Sequence, residues 1–146
     1  MTAEMQTALW GFAVAVPVVL NIATKREADA LGISAMVLLI WCFSRVLWSL
    51  HGPPESMKLY PLIDLAAGAT VMAAWVTRRE TWKLLLAYLY VGQCVAHAAF
   101  WLAGAPDQTL LFYVGLNNAL FALQLVCVAS PGGRRVGSIV GSWVLG

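Results

Sequence analysis

The chain has 146 residues, 61% of them hydrophobic and only 11% charged, with a net charge of +2. A soluble domain carries about 25% charged residues, so this composition cannot cover a water-facing surface and implies an integral membrane protein. The bases fall in twos and threes at helix ends, without the basic stripe that nucleic acid requires.

A bilayer core about 30 Å thick needs roughly 20 apolar residues in a helix, because lipid leaves the backbone no partner but its own helix. Five segments approach that length, which predicts an all-α bundle of about five transmembrane helices at residues 5–23, 30–50, 60–76, 83–103 and 109–129. The links "TKREADA", "HGPPESMKLY", "TRRETWK" and "GAPDQ" are short and polar. Each helix is therefore expected to lie antiparallel to the next.

The first segment has an acid and no base before it, with Lys25 and Arg26 after it. A secretory signal has the opposite order, so the segment is expected to be a retained helix, kinked near Ala13 by Pro17. Lys25, Arg26, Arg78, Arg79, Lys83, Arg134 and Arg135 fall on one side of a five-span topology, against Lys58 on the other. The positive-inside rule then places the amino terminus outside and the carboxyl terminus in the cytoplasm, with a bacterial inner membrane as the default. Trp10, Trp48, Tyr60, Trp82 and Trp101 are expected at the headgroups, and Trp41 and Trp75 in packing.

The second segment contains Arg45 between apolar residues, in "LLIWCFSRVLWSLHG". On this topology Arg45 lies roughly 7 Å below the outer end of its helix, and Asp64 in the third segment lies about 6 Å down. Matching depth on consecutive helices predicts an Arg45–Asp64 ion pair. The alternative is an Arg45 that snorkels to the headgroups. The third segment also repeats small residues, Ala66, Thr70 and Ala74, as a face for close helix packing within the bundle or between protomers.

The fourth segment sets Tyr90, Gln93, His97 and Trp101 at spacings of three and four, on one face. In the fifth, Tyr113, Asn117, Phe121 and Gln124 share a face, with Asn118 about 100° away. Polar side chains facing lipid would be unsatisfied, so Arg45, Asp64, Gln93, His97, Asn117, Asn118 and Gln124 are expected to point inward to a shared polar site in the outer half. Their bland role is interhelical hydrogen bonding, worth about 0.6 kcal/mol each. Residues 131–146 read as a cytoplasmic tail, whose mainly apolar eleven-residue stretch after "SPGGRR" is too short to span. Gly137 and Gly141 form a GxxxG pair, so this segment is expected to dock or to lie in the interface.

Three functions fit these residues. The first is permeation, by a channel, a transporter-like protein or a holin-type pore, in a homo-oligomer. The second is a non-catalytic subunit of a larger membrane complex, its polar groups joining helices. The third is a haem or redox protein, for which His97 is buried but His51 lies at an interface. Cys42, Cys94 and Cys127 form no metal-binding spacing, and no hydrolase motif is present, so no enzyme activity, metal or cofactor is expected.

Overall fold

The computed structural model of the protein describes residues 3–24, 28–51, 58–104 and 107–144, except the side chains at 3, 4, 6, 51, 107–109 and 132–144. They form five α-helices: α1 (Ala3–Ala23), α2 (Ala28–His51), α3 (Tyr60–Thr77), α4 (Thr81–Leu102) and α5 (Asp107–Val144). Four carry runs long and apolar enough to cross a membrane, at Ala28–Leu50, Tyr60–Thr77, Thr81–Leu102 and Leu110–Pro131; α1 has a shorter apolar stretch, Thr7–Ala23. The surface fits that setting. Phe12, Leu39, Leu111 and Phe112 point outward, whereas Asn21, Ser34, Asp64, Lys83, His97 and Gln124 are buried.

Local chemistry sets several helix ends. Pro61 occupies the first turn of α3, where a missing N–H costs nothing. Gly104 takes φ +79° after α4 and donates its N–H to the Trp101 carbonyl, a left-handed stop that a side chain would strain. Pro17 lies inside α1, which continues on both sides of it.

The helices close into a ring. The broadest contacts join α3 to α4 and α4 to α5, followed by α1 with α5 and α1 with α2, while α2 touches α3 and α5 only sparsely. The close approach of α3 to α4 depends on Gly68, where an added Cβ would stand 3.2 Å from the Tyr90 Cβ. Val14, Ile33, Val37, Val71, Leu86 and Val128 pack the core toward the end that holds the α3–α4 connection.

Three features refine or depart from the sequence expectations. Of the two packing roles open to the small-residue face, the one within the bundle is not taken by Ala66 and Thr70, which are exposed on the surface of the protomer; the buried face of α3 is Asp64, Ala67, Gly68 and Val71. Within the protomer, glycine therefore supplies the close contact, because that face, not the Ala66 face, meets α4; Ala74 is half-buried beside the core. Trp82, expected at the headgroups, is buried in the core. Finally, α5 does not stop at Ala129 but runs through Pro131 to Val144 as one helix. The side chains of the tail lie outside the described residues, Gly137 and Gly141 among them.

A candidate polar cavity among the five helices

At the end of the bundle opposite that core the helices part around a cavity of about 450 Å³, with every helix contributing to its wall. Thr7 and Trp10 come from α1, Trp41 and Arg45 from α2, and Tyr60 and Asp64 from α3. From α4 come Tyr90, Gln93 and His97, and from α5 Tyr113, Asn117, Asn118, Phe121 and Gln124. All seven polar residues expected to converge line it.

His97 links three helices. Its Nε2 stands 3.1 Å from Asp64 Oδ2 on α3, and its Nδ1 is hydrogen bonded to the Tyr113 hydroxyl on α5. In the tautomer with its proton on Nε2, Nδ1 accepts from the Tyr113 O–H. The N–H is not aimed along the line to Oδ2, which receives no directed hydrogen bond although it is cut off from solvent. The contact is thus electrostatic. Aromatic rings fix the imidazole further: Tyr60 lies 5.6 Å and Tyr113 5.5 Å from its centroid, and Phe100 stacks on Tyr113 at 4.1 Å.

The expected Arg45–Asp64 pair does not form. Arg45 donates through Nη2 to Thr7 Oγ1 at 2.8 Å, while Asp64 faces His97. The cause is the packing order of the helices. Asp64 belongs to the α3 face that packs on α4, and Arg45 belongs to a helix whose main neighbour is α1. Equal depth placed both in the same cavity without placing them in contact.

Two of the remaining polar residues act as helix joints. Gln124 Nε2 donates to Gln93 Oε1 at 2.6 Å across the α4–α5 interface. Asn117 Nδ2 donates to the Tyr113 carbonyl one turn back at 3.1 Å, leaving its Oδ1 buried with no donor.

Several wall residues were not singled out by the sequence. Trp10, Trp41 and Trp48 were expected at the headgroups or in packing, not as cavity wall; they line the cavity, Trp10 against Phe121 at 5.4 Å, and Trp41 also packs against the core as expected. A second polar cluster, at the opposite end, was also unforeseen. Lys83, read as a loop base, has no solvent exposure; its Nζ lies 3.0 Å from Asp29 Oδ2 and 3.2 Å from Glu80 Oε2. Its helix begins at Thr81, two residues earlier than expected, which carries the ammonium inward. Asn21 nearby bridges the carbonyls of Ala30 and Val128 at 3.4 Å each.

Among the described residues no three His, Cys, Asp or Glu side chains gather as a metal site, and all three cysteines are free. Fold and cavity together define an all-helical bundle of membrane-spanning length with a half-open, mostly apolar cavity inside a single protomer, polar side chains set into its wall. No family model matches the chain, and neither the curated proteins nor the solved structures contain a match to it.

Proposed function

We propose that the protein acts in permeation, as a transporter-like membrane protein whose solute occupies the cavity. The observation that carries this reading is a half-open cavity walled by all five helices of one chain, with a carboxylate, an imidazole and a phenol in contact along its wall. Its volume lies within the range of about 300–1,000 Å³ common for small-molecule sites. Ionisable groups inside membrane helices are expensive and generally serve a pathway or a bound ligand. A pore formed between protomers would need none of this internal chamber, so the transporter-like form is favoured over a holin-type or oligomeric channel.

The non-catalytic subunit is the second reading, favoured by the Gln124–Gln93 bond, whose chemistry is that of interhelical joining. Flux of small polar and charged solutes into liposomes containing the purified protein distinguishes the two. Flux that falls in Asp64→Asn and His97→Ala supports permeation, and flux unchanged in both variants rejects it. Purification with a stoichiometric larger partner, without flux of its own, supports the subunit reading.

A further inference from the structure

Arg45 carries a charge that the bundle leaves without a counter-charge. It lies within the apolar run Ala28–Leu50 of α2, exposed in the cavity wall. Its Nη2 donates to a neutral hydroxyl, Thr7 Oγ1 at 2.8 Å, and among the described residues no carboxylate is in ion-pair contact with it. Thr7 and Arg45 stand at similar depth on antiparallel helices, so this bond holds the guanidinium across to α1 instead of toward the helix ends. A guanidinium has five N–H donors, arranged in a fork that matches a carboxylate with two parallel bonds. A cation in a membrane-spanning run is costly until an anion joins it.

The rest of the wall decides where that anion comes from and what body it carries. Asp64, the other formally charged wall residue, is buried and turned to His97. The charge open to an occupant is therefore that of Arg45. Trp10, Trp41, Trp48, Tyr60 and Phe121 give the wall an aromatic character that suits an apolar body. At about 450 Å³ the cavity is toward the small end of the range of about 300–1,000 Å³ for small-molecule sites. That accepts a ring on a short chain but is too small for the two acyl chains of a phospholipid.

We propose that the cavity binds a small organic carboxylate on an apolar body, with the Arg45 guanidinium as its counter-ion. This deepens the permeation reading and rests on it in taking the cavity as the solute site. An uncharged amide of the same shape would meet the same aromatic wall, but it would leave the cation uncompensated. The difference between the two isolates the contribution of Arg45.

The test is calorimetric titration of the whole purified protein, in a neutral detergent, with 4-phenylbutyrate and with its uncharged counterpart 4-phenylbutanamide. Expected is saturable binding of the carboxylate about tenfold or more tighter than the amide, the scale of a hydrogen bond between charged groups. Arg45→Gln, shown by thermal unfolding to be folded, should bring the carboxylate to within about threefold of the amide. Arg45→Lys keeps the charge without the fork and should fall between Arg45→Gln and wild type. Equal affinity for the two compounds, or no saturable binding to the folded wild-type protein, overturns the assignment, as does a preference unchanged in Arg45→Gln. Because the wild-type comparison needs no variant, a misfolded mutant leaves the test intact. Phosphorus assay of the washed proteins separates the other source of an oxyanion. One phospholipid retained per wild-type chain and lost in Arg45→Gln gives the guanidinium to a lipid headgroup and overturns the proposal, whereas equal phosphorus in the two supports it. Flux of another solute by protein that binds no carboxylate defeats this proposal and spares the permeation reading. Saturable carboxylate binding without flux of any solute does the reverse.

Discussion

His97 and Asp64 face each other at 3.1 Å across the α3–α4 interface, both buried, and the other ring nitrogen of His97 is bonded to Tyr113 on α5. One imidazole therefore joins three helices in the wall of a cavity to which α1 and α2 also contribute. Because each contact leaves a buried polar group behind when its partner is removed, the chain can be dissected by substitution.

Tyr113→Phe removes only the hydroxyl and strands His97 Nδ1. A loss of about 1–3 kcal/mol is expected, the usual cost of leaving a buried group unsatisfied. Chemical unfolding in mixed micelles measures it. A phenylalanine variant as stable as wild type would mean that the bond to His97 contributes nothing.

Charge exchange between Arg45 and Asp64 separates the two possible partners of the acid. Since Arg45 is bonded to Thr7 and Asp64 faces His97, Arg45→Asp combined with Asp64→Arg should be no better assembled than the worse single variant. In a double-mutant cycle, Arg45→Ala and Asp64→Asn should add to within about 0.5 kcal/mol, whereas Asp64→Asn and His97→Ala should depart from additivity by more than that. Restored assembly in the exchanged protein would revive a direct Arg45–Asp64 pair.

Lys83 tests the other end of the bundle. Its ammonium is fully buried, but Asp29 is partly exposed and Glu80 supplies a second carboxylate. Asp29→Asn alone should therefore be mild, while Asp29→Asn with Glu80→Gln leaves the cation uncompensated and should cost about 3–5 kcal/mol. Adding Lys83→Met to that double variant should recover most of the loss, since no buried charge then remains. Thermal unfolding of the four proteins under one detergent condition reads out the series.

Glycines in the ring differ in what surrounds them. A side chain at Gly68 meets the Tyr90 Cβ at 3.2 Å, so Gly68→Val should force α3 from α4 at a cost of about 1–3 kcal/mol. At Gly32 no atom lies within 4 Å of an added Cβ, and Gly32→Ala should be neutral or gain up to about 1 kcal/mol from helix propensity. A reversal of that order in unfolding midpoints would contradict the packing of α3 on α4.

Much of the cavity was legible because helical periodicity is a property of one strand of chain. Gln93 and His97, four residues apart, had to share a face of α4, as Asn117 and Gln124 had to share one of α5. Short links forced antiparallel neighbours, so polar residues near alternate ends of successive helices had to meet at one end of the bundle. The aromatic wall was less legible. Trp10 and Trp48 lie near helix ends, where a tryptophan satisfies either the headgroup region or a cavity mouth, and sequence position does not separate the two.

Composition and apolar run length determined by themselves that the chain is helical and of membrane-spanning proportions, and periodicity determined which side chains of each helix travel together. Tertiary structure alone decided which faces meet. The ring order sets α3 against α4, giving Asp64 to His97 and Arg45 to Thr7, and an early start of α4 draws Lys83 in beneath Asp29 and Glu80. The reason is that depth along a helix follows from counting residues, whereas the partner across an interface depends on the rotation and neighbour of each helix, which packing of the whole bundle selects.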